Sequence, residues 1–336
     1  MFRAQLIFIL SLLVFSSMVR ADTGFRLENF DYPYPVERFS LVSQQQKVEI
    51  VYMDVAPSGK DRGETIVLFH GKNFCAATWE TAIAALSQAG YRVIAVDQVG
   101  FCKSSKPRDY QFSFHQLADN TRQLINSLNL DRVLLMGHSM GGMLASRYAL
   151  LYPQQVSGLV LVNPIGLEDW LQKGVPYLPI DKWYQQQRNI NAEGIKRYQQ
   201  NTYYAGEWRE EYDIWVEMLA GQFAADREQS AWLSAKIYDM ILTQPVVHQF
   251  PQLSVPTWLL IGARDNTAVG KAFATDSVKQ KLGNYPQLAT ETVSRIPNAR
   301  LHLFPQLGHS PHIQSPALFN RALLEAFDHL TTQPLR

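Results

Sequence analysis

Short, almost purely apolar runs recur along this chain at residues 65–69, 91–97, 132–136, 158–163, 256–262 and 300–304. A run of that length without polar alternation is what a strand covered on both faces uses. The stretches between carry helical spacing. Thr78-Trp79-Glu80 opens a helix expected to run to about residue 88, with Gly90 as its stop. Residues 114–128 set Leu117, Thr121, Leu124, Ile125 and Leu128 at helical intervals, and Met143-Leu144-Ala145-Ser146-Arg147-Tyr148-Ala149 follows the run at 132–136 without a linker. Strand then helix, repeated, predicts an α/β fold: a mostly parallel sheet of about eight strands with helices on both faces. Upstream, β-branched alternation over 39–42 and 47–55 predicts a hairpin turning at Ser43-Gln44-Gln45-Gln46. Asp31-Tyr32-Pro33-Tyr34-Pro35-Val36 before it is too proline-punctuated for a helix.

The pattern changes between 164 and 253. Strand-like runs vanish, and Trp170, Trp183, Tyr184, Tyr198, Tyr203, Tyr204, Trp208, Tyr212, Trp215 and Trp232 accumulate. This predicts a helical cap (164–253) inserted between two strands of a core made of residues 22–163 and 254–336. Most of those aromatics are expected to be packing residues, and the pocket such a cap encloses is expected to be apolar and poor in water.

The first residues read as an address. Met1-Phe2-Arg3 is positively charged, Leu6 to Phe15 is nearly unbroken apolar sequence, and Val19-Arg20-Ala21 offers small residues where a signal peptidase reads. The run is shorter than the ~20 residues that span a bilayer, so residues 1–21 are expected to be a cleaved leader and the product periplasmic or secreted. No cysteine follows the run to take a lipid anchor. Composition supports a packed core, with 46% hydrophobic and 18% charged residues. Loss of Arg3 and Arg20 takes the 31 basic side chains to 29 against 30 acidic, leaving no field for nucleic acid or anionic lipid.

The candidate chemistry centres on Arg132-Val133-Leu134-Leu135-Met136-Gly137-His138-Ser139-Met140-Gly141-Gly142-Met143. Strand, sharp turn and helix succeed one another, with Gly137 and Gly141 two positions either side of Ser139. A turn that holds its central residue in a strained conformation needs nothing bulky at those positions, and it leaves the serine hydroxyl standing above the sheet edge. In this the chain resembles the α/β-hydrolase superfamily. Further motifs carry the resemblance: His70-Gly71 after the run at 65–69 is similar to the oxyanion loop, Asp97-Gln98-Val99-Gly100-Phe101-Cys102-Lys103-Ser104 to an Asp-x-x-Gly-x-Gly-x-Ser turn, and Leu307-Gly308-His309-Ser310-Pro311 to the histidine loop.

The resemblance implies a triad in the chain order Ser139, Asp265, His309. A serine hydroxyl is a poor nucleophile until an imidazole takes its proton, and a carboxylate must hold that imidazole in the right tautomer. Asp265 has the expected Gly-x-x-Asp context, although the usual downstream proline is absent and residues 270–297 lengthen the interval to His309 with an extra helix. The competing acid position, after the preceding strand, holds Asn163, with Glu168 and Asp169 as further alternatives. Asp97 is a carboxylate at the same sheet edge but is expected to tie down its own turn. His70, His302 and His312 are expected to be structural. The oxyanion donors implied are the backbone amides of Met140 and of Lys72, with Asn73 as the alternative to Lys72.

The same resemblance places the loops carrying Cys75 and Cys102 side by side, and it implies a disulfide between these two cysteines worth roughly 3 kcal/mol. Two buried free thiols are the alternative. A serine at the elbow argues against the dehalogenases and epoxide hydrolases of this fold, which use aspartate there. Hydrolysis of a small carboxylic ester with an apolar or aromatic acyl group, through an acyl-enzyme, is the activity implied. Thioesters or a carbon–carbon bond are alternatives for the same triad, and a non-catalytic scaffold is the alternative of another class. No cofactor or metal is implied, since no clustered ligand pattern occurs.

Overall fold

The computed structural model of the protein describes residues 23–332; the expected leader, 1–21, lies outside them. In chain order the elements are β1 (Val36–Ser43), β2 (Gln46–Val55), β3 (Thr65–Phe69), α1 (Glu80–Gln88), β4 (Arg92–Asp97), α2 (Phe114–Ser127), β5 (Val133–His138), α3 (Met140–Leu151) and β6 (Val156–Val162). Then come α4 (Ile180–Gln187), α5 (Ala192–Tyr198), α6 (Asp213–Ala225), α7 (Arg227–Thr243), β7 (Thr257–Gly262), α8 (Asp276–Lys279), α9 (Tyr285–Arg295), β8 (Ala299–Phe304), α10 (Pro311–Gln314) and α11 (Pro316–Thr332).

The eight strands form one sheet in the order β1-β2-β4-β3-β5-β6-β7-β8. Both partners of β2 run antiparallel to it, and every pairing from β4 to β8 is parallel. Successive residues of the buried strands serve opposite layers. Val67 and Phe69 of β3 and Leu135 of β5 pack with Leu117 and Leu124 of α2 and Met143 and Tyr148 of α3. Ile66, Leu68, Leu134 and Met136 face the other way, onto Ile83 and Leu86 of α1 and Phe319, Leu323 and Phe327 of α11.

The hairpin departs from expectation. β1 begins at Val36, and Ser43 pairs with Gln46, so the turn is only Gln44-Gln45. Both have positive φ, 53° and 61°. A two-residue turn of that hand matches strand twist but normally uses Asn or Gly, so two glutamines gave no signal for it. Between β6 and β7 the described residues form α4 to α7 and no strand. Two helices, α8 and α9, account for the long interval before β8. Cys75 and Cys102 are joined in a disulfide that ties the loop after β3 to the loop after β4. Cys102 has φ 49°, a left-handed conformation that explains why glycine is usual at that position. Among the described residues no helix is long and apolar enough to cross a membrane.

Candidate active site

Parallel strands deliver their loops to one edge, and the expected site residues leave β3, β5, β7 and β8 at that edge. Ser139 follows β5 with φ 56° and ψ −120°. Such a conformation costs of order 1–3 kcal/mol in a non-glycine residue, and the surroundings hold it. Ser139 N–H donates to Val162 O at 3.1 Å, while its carbonyl accepts from Gly142 N at 2.9 Å and Ile165 N at 3.2 Å. A Cβ on Gly137 would lie 2.1 Å from Gly141 O, and one on Gly141 would lie 2.3 Å from Phe69 O. Any side chain at either position would therefore push α3 off the sheet edge.

Asp265 follows β7 and His309 follows β8, and the structure brings them together: His309 Nδ1 and Asp265 Oδ2 are 2.6 Å apart, both side chains fully buried. Asp265 collects every donor around it. Thr267 donates to Oδ1 through its N–H at 2.8 Å and its hydroxyl at 2.7 Å, and Asn163 Nδ2 donates to Oδ2 at 2.9 Å. Asn163 is itself fixed because its Oδ1 accepts Gly262 N–H at 2.8 Å. The residue at the competing acid position thus orients the carboxylate that lies one strand away. His309 Nε2 is buried and has no hydrogen-bond partner among the described residues.

His309 is braced from two further sides. His138 Nε2–H donates to His309 O at 2.9 Å, with the two rings 4.9 Å apart. Burial holds His138 well below the usual histidine range, with the neighbouring His312 and His309 adding to the effect, so it serves as a neutral donor. On the other side Tyr203 stacks on the His309 ring at 4.9 Å, and its carbonyl accepts Ser310 N–H at 3.2 Å. Tyr203 ends a π-helical turn, Gln199–Tyr203, that extends α5. Its hydroxyl accepts from Asn73 Nδ2 at 2.8 Å, which links the segment between β6 and β7 to the loop after β3.

That loop passes close to the elbow: a Cβ on Gly71 would be 3.1 Å from Ser139 Cβ. Among the described residues neither Lys72 N–H nor Asn73 N–H donates to a backbone acceptor, and the N–H of Met140 opens α3, where no intrahelical acceptor exists. His70 sits behind the loop, its Nδ1 2.8 Å from Gly71 O and its Nε2 accepting Gln98 N–H at 3.2 Å. Asp97 ties its turn, accepting from Ala76 N, Lys103 N and Tyr32 OH. His70, Asp97 and Cys102 are mutually close, but their donor atoms are engaged in these bonds and in the disulfide, which leaves no ligand set for a metal there. Glu168 binds Lys173 and Gly283 N–H, and Asp169 pairs with His248, so neither approaches His309 through its carboxylate.

The side chain of Lys72 runs away from the elbow, toward the helices between β6 and β7. Its Nζ donates to Ser234 Oγ of α7 at 2.8 Å and lies 3.9 Å from the centre of the Tyr238 ring. Burial alone pushes its pKa down to about 7. It borders a cavity of about 360 Å³ between the loop and α4 to α7. The walls of that cavity include Gln186, Gln187, Asn189, Asn191 and Gln199 beside Ile195, Tyr198 and Phe223, and the surface they present to it is mostly apolar, as expected. Trp183, Tyr203, Tyr204 and Tyr212 are instead buried in the packing between layers.

Asn163, His138 and Tyr203 belong to this site without a sequence motif that marks them for it. His138 lies inside the elbow motif, which was its one local signal. In the sequence Asn163 stands only where an acid is absent, and Tyr203 is one aromatic among many.

Comparison with known proteins agrees with this architecture. A probable hydrolytic enzyme of Pseudomonas aeruginosa PAO1 is 59% identical, covering 90% of this chain and 97% of its own, with a TM-score of 0.89. The abhydrolase domain-containing protein abhd-5.2 of Caenorhabditis elegans is 39% identical over 107 residues, 31% of this chain and 24% of its own length. Bifunctional epoxide hydrolase 2 of Sus scrofa is 35% identical over 102 residues, 30% of this chain and 18% of its own length. The chain thus matches about a quarter or less of those two curated relatives. The family model for the alpha/beta hydrolase fold matches residues 64–316, from β3 to the start of α11, and the chain belongs to that family.

Proposed function

We propose that this protein is a serine hydrolase that cleaves a carboxylic ester through an acyl-enzyme. Ser139 attacks the carbonyl, His309 takes its proton and returns it to the leaving alcohol, and Asp265 holds the imidazole. The amides of Lys72 and Met140 receive the oxyanion, where each donor is worth about 3–4 kcal/mol. The observation that carries this reading is the 2.6 Å contact between His309 Nδ1 and Asp265 Oδ2, with Nε2 of the same ring left unpartnered. With Nδ1 protonated and bound, Nε2 is the basic nitrogen the mechanism needs. Serine rather than aspartate at the elbow separates the chain from the epoxide-opening chemistry named in its porcine relative, because attack by a carboxylate requires Asp in that place.

The helices between β6 and β7 act as a cap, and the enclosure is tight, since Ser139 is only 6% exposed. The disulfide Cys75–Cys102 supports residence in an oxidising compartment, the periplasm or the exterior. A chain-length series of p-nitrophenyl esters tests the reading. Turnover of at least one ester that disappears in Ser139→Ala is expected; no turnover, or turnover unchanged in Ser139→Ala, overturns it.

A further inference from the structure

We infer that the cavity under the cap is an anion subsite, with the Lys72 ammonium as its recognition group, and that the substrates are hemiesters of short dicarboxylic acids. The inference rests on the esterase reading for its reaction and on separate observations for its charge. Among the described residues Lys72 is a cation without an anion. Its Nζ meets a hydroxyl, the amide oxygen of Asn73 at 3.5 Å and the face of Tyr238, all neutral. The residues lining the cavity include a second cation, Arg197, and no carboxylate, so among them Lys72 alone carries uncompensated charge. Arg197 faces only Glu193 as an ion-pair partner, and that pair is exposed.

Position supplies the substrate geometry. The amide of Lys72 belongs to the loop that faces the elbow, while its ammonium borders the cavity, so one residue spans the distance from the reacting carbonyl to the far end of the substrate. Ser139 does not line the cavity; Lys72 and Asn73, which do, belong to the loop that faces it. A hemiester of glutarate sets its carboxylate three methylenes from the ester carbonyl, a reach comparable to the lysine stem. The volume of about 360 Å³ lies at the small end of ligand pockets. A bound carboxylate would also hold Lys72 in the charged form that burial alone disfavours.

The test is calorimetric binding to full-length Ser139→Ala protein, comparing monomethyl glutarate with dimethyl glutarate, which differ in one charge. The hemiester should bind at least about ten-fold tighter, as expected for a charge-assisted hydrogen bond. In Ser139→Ala/Lys72→Met that preference should vanish. Equal affinities in the Ser139→Ala protein overturn the subsite without recourse to a Lys72 variant, and a preference that survives Lys72→Met overturns the role of Lys72. Turnover of both esters by the wild-type enzyme separates the two readings. Lys72-dependent binding without hydrolysis leaves the subsite and removes the esterase, whereas hydrolysis of both esters at equal kcat/KM leaves the esterase and removes the subsite.

Discussion

Asp265→Asn is nearly isosteric, and the structure says why it should not be tolerated. The groups around the carboxylate are donors: Thr267 N–H and hydroxyl on Oδ1, Asn163 Nδ2 and His309 Nδ1 on Oδ2, and the Tyr285 hydroxyl nearby. An amide has one acceptor end and one donor end. With its oxygen toward Thr267, its NH₂ faces His309, which must then accept at Nδ1 and carry its proton on Nε2. That tautomer cannot take the proton of Ser139, and the corresponding error in a serine triad lowers kcat by about 10⁴-fold. With the amide reversed, two N–H groups oppose each other in a buried site, at about 1–3 kcal/mol for the unsatisfied donor. Asn163 cannot relieve the first arrangement by turning over, because its oxygen already accepts Gly262 N–H. Steady-state hydrolysis of p-nitrophenyl butyrate, with urea denaturation of the same variant, gives both quantities. A kcat within about ten-fold of wild type, from a protein of unchanged stability, would refute the reasoning, since the charge and tautomer argument allows neither.

Asn163→Ala strips the Gly262 N–H of its acceptor and the Asp265 carboxylate of a donor, so denaturant unfolding should show a loss of about 2–4 kcal/mol; unchanged stability would mean that water replaces the amide freely. His312 packs between Trp79 and Phe319 with neither ring nitrogen bonded among the described residues, and burial, aided by the nearby His309, holds its pKa at about 3 against an ordinary 6.5. The unfolded chain binds this proton first, so the contribution is intact above pH 6.5 and is lost as pH falls from 6.5 toward 3. Between neutrality and about pH 4.5 the loss from this group is roughly 3 kcal/mol, so His312→Phe should lose that much less stability on acidification, and identical pH profiles would contradict it. Replacing the bridge with Cys75→Ala/Cys102→Gly removes about 3 kcal/mol of loop constraint, less whatever strain glycine relieves at φ 49°. Reductant should destabilise the wild type and leave this variant unchanged.

Buried parallel strands are legible because both faces are covered, so β3 to β7 read as uninterrupted apolar runs in a way a helix of the same length seldom does. The elbow is legible because its glycines sit at fixed spacing in one short motif, although only Gly137 is demanded by backbone within the turn and Gly141 is demanded by Phe69 of β3. The start of β1 is not, since it opens on a proline-rich stretch and pairs along a half-exposed edge where alternation is diluted. Ser139, Asp265 and His309 stand out by motif and chain order, whereas the groups that hold them depend on pairings between distant residues. Asn163 meets Asp265 only because β6 and β7 are neighbours, and Tyr203 meets His309 only because a π-turn places it there. The ammonium of Lys72 is similarly invisible in sequence, because its solvation is set by α7.

The most direct measurement is covalent labelling with a fluorophosphonate, followed by peptide mapping. One phosphonate per chain is expected, on Ser139, absent in Ser139→Ala and formed at a strongly reduced rate in His309→Gln. Labelling at another residue, or none on a folded wild-type protein, would contradict the assignment of Ser139 as the nucleophile.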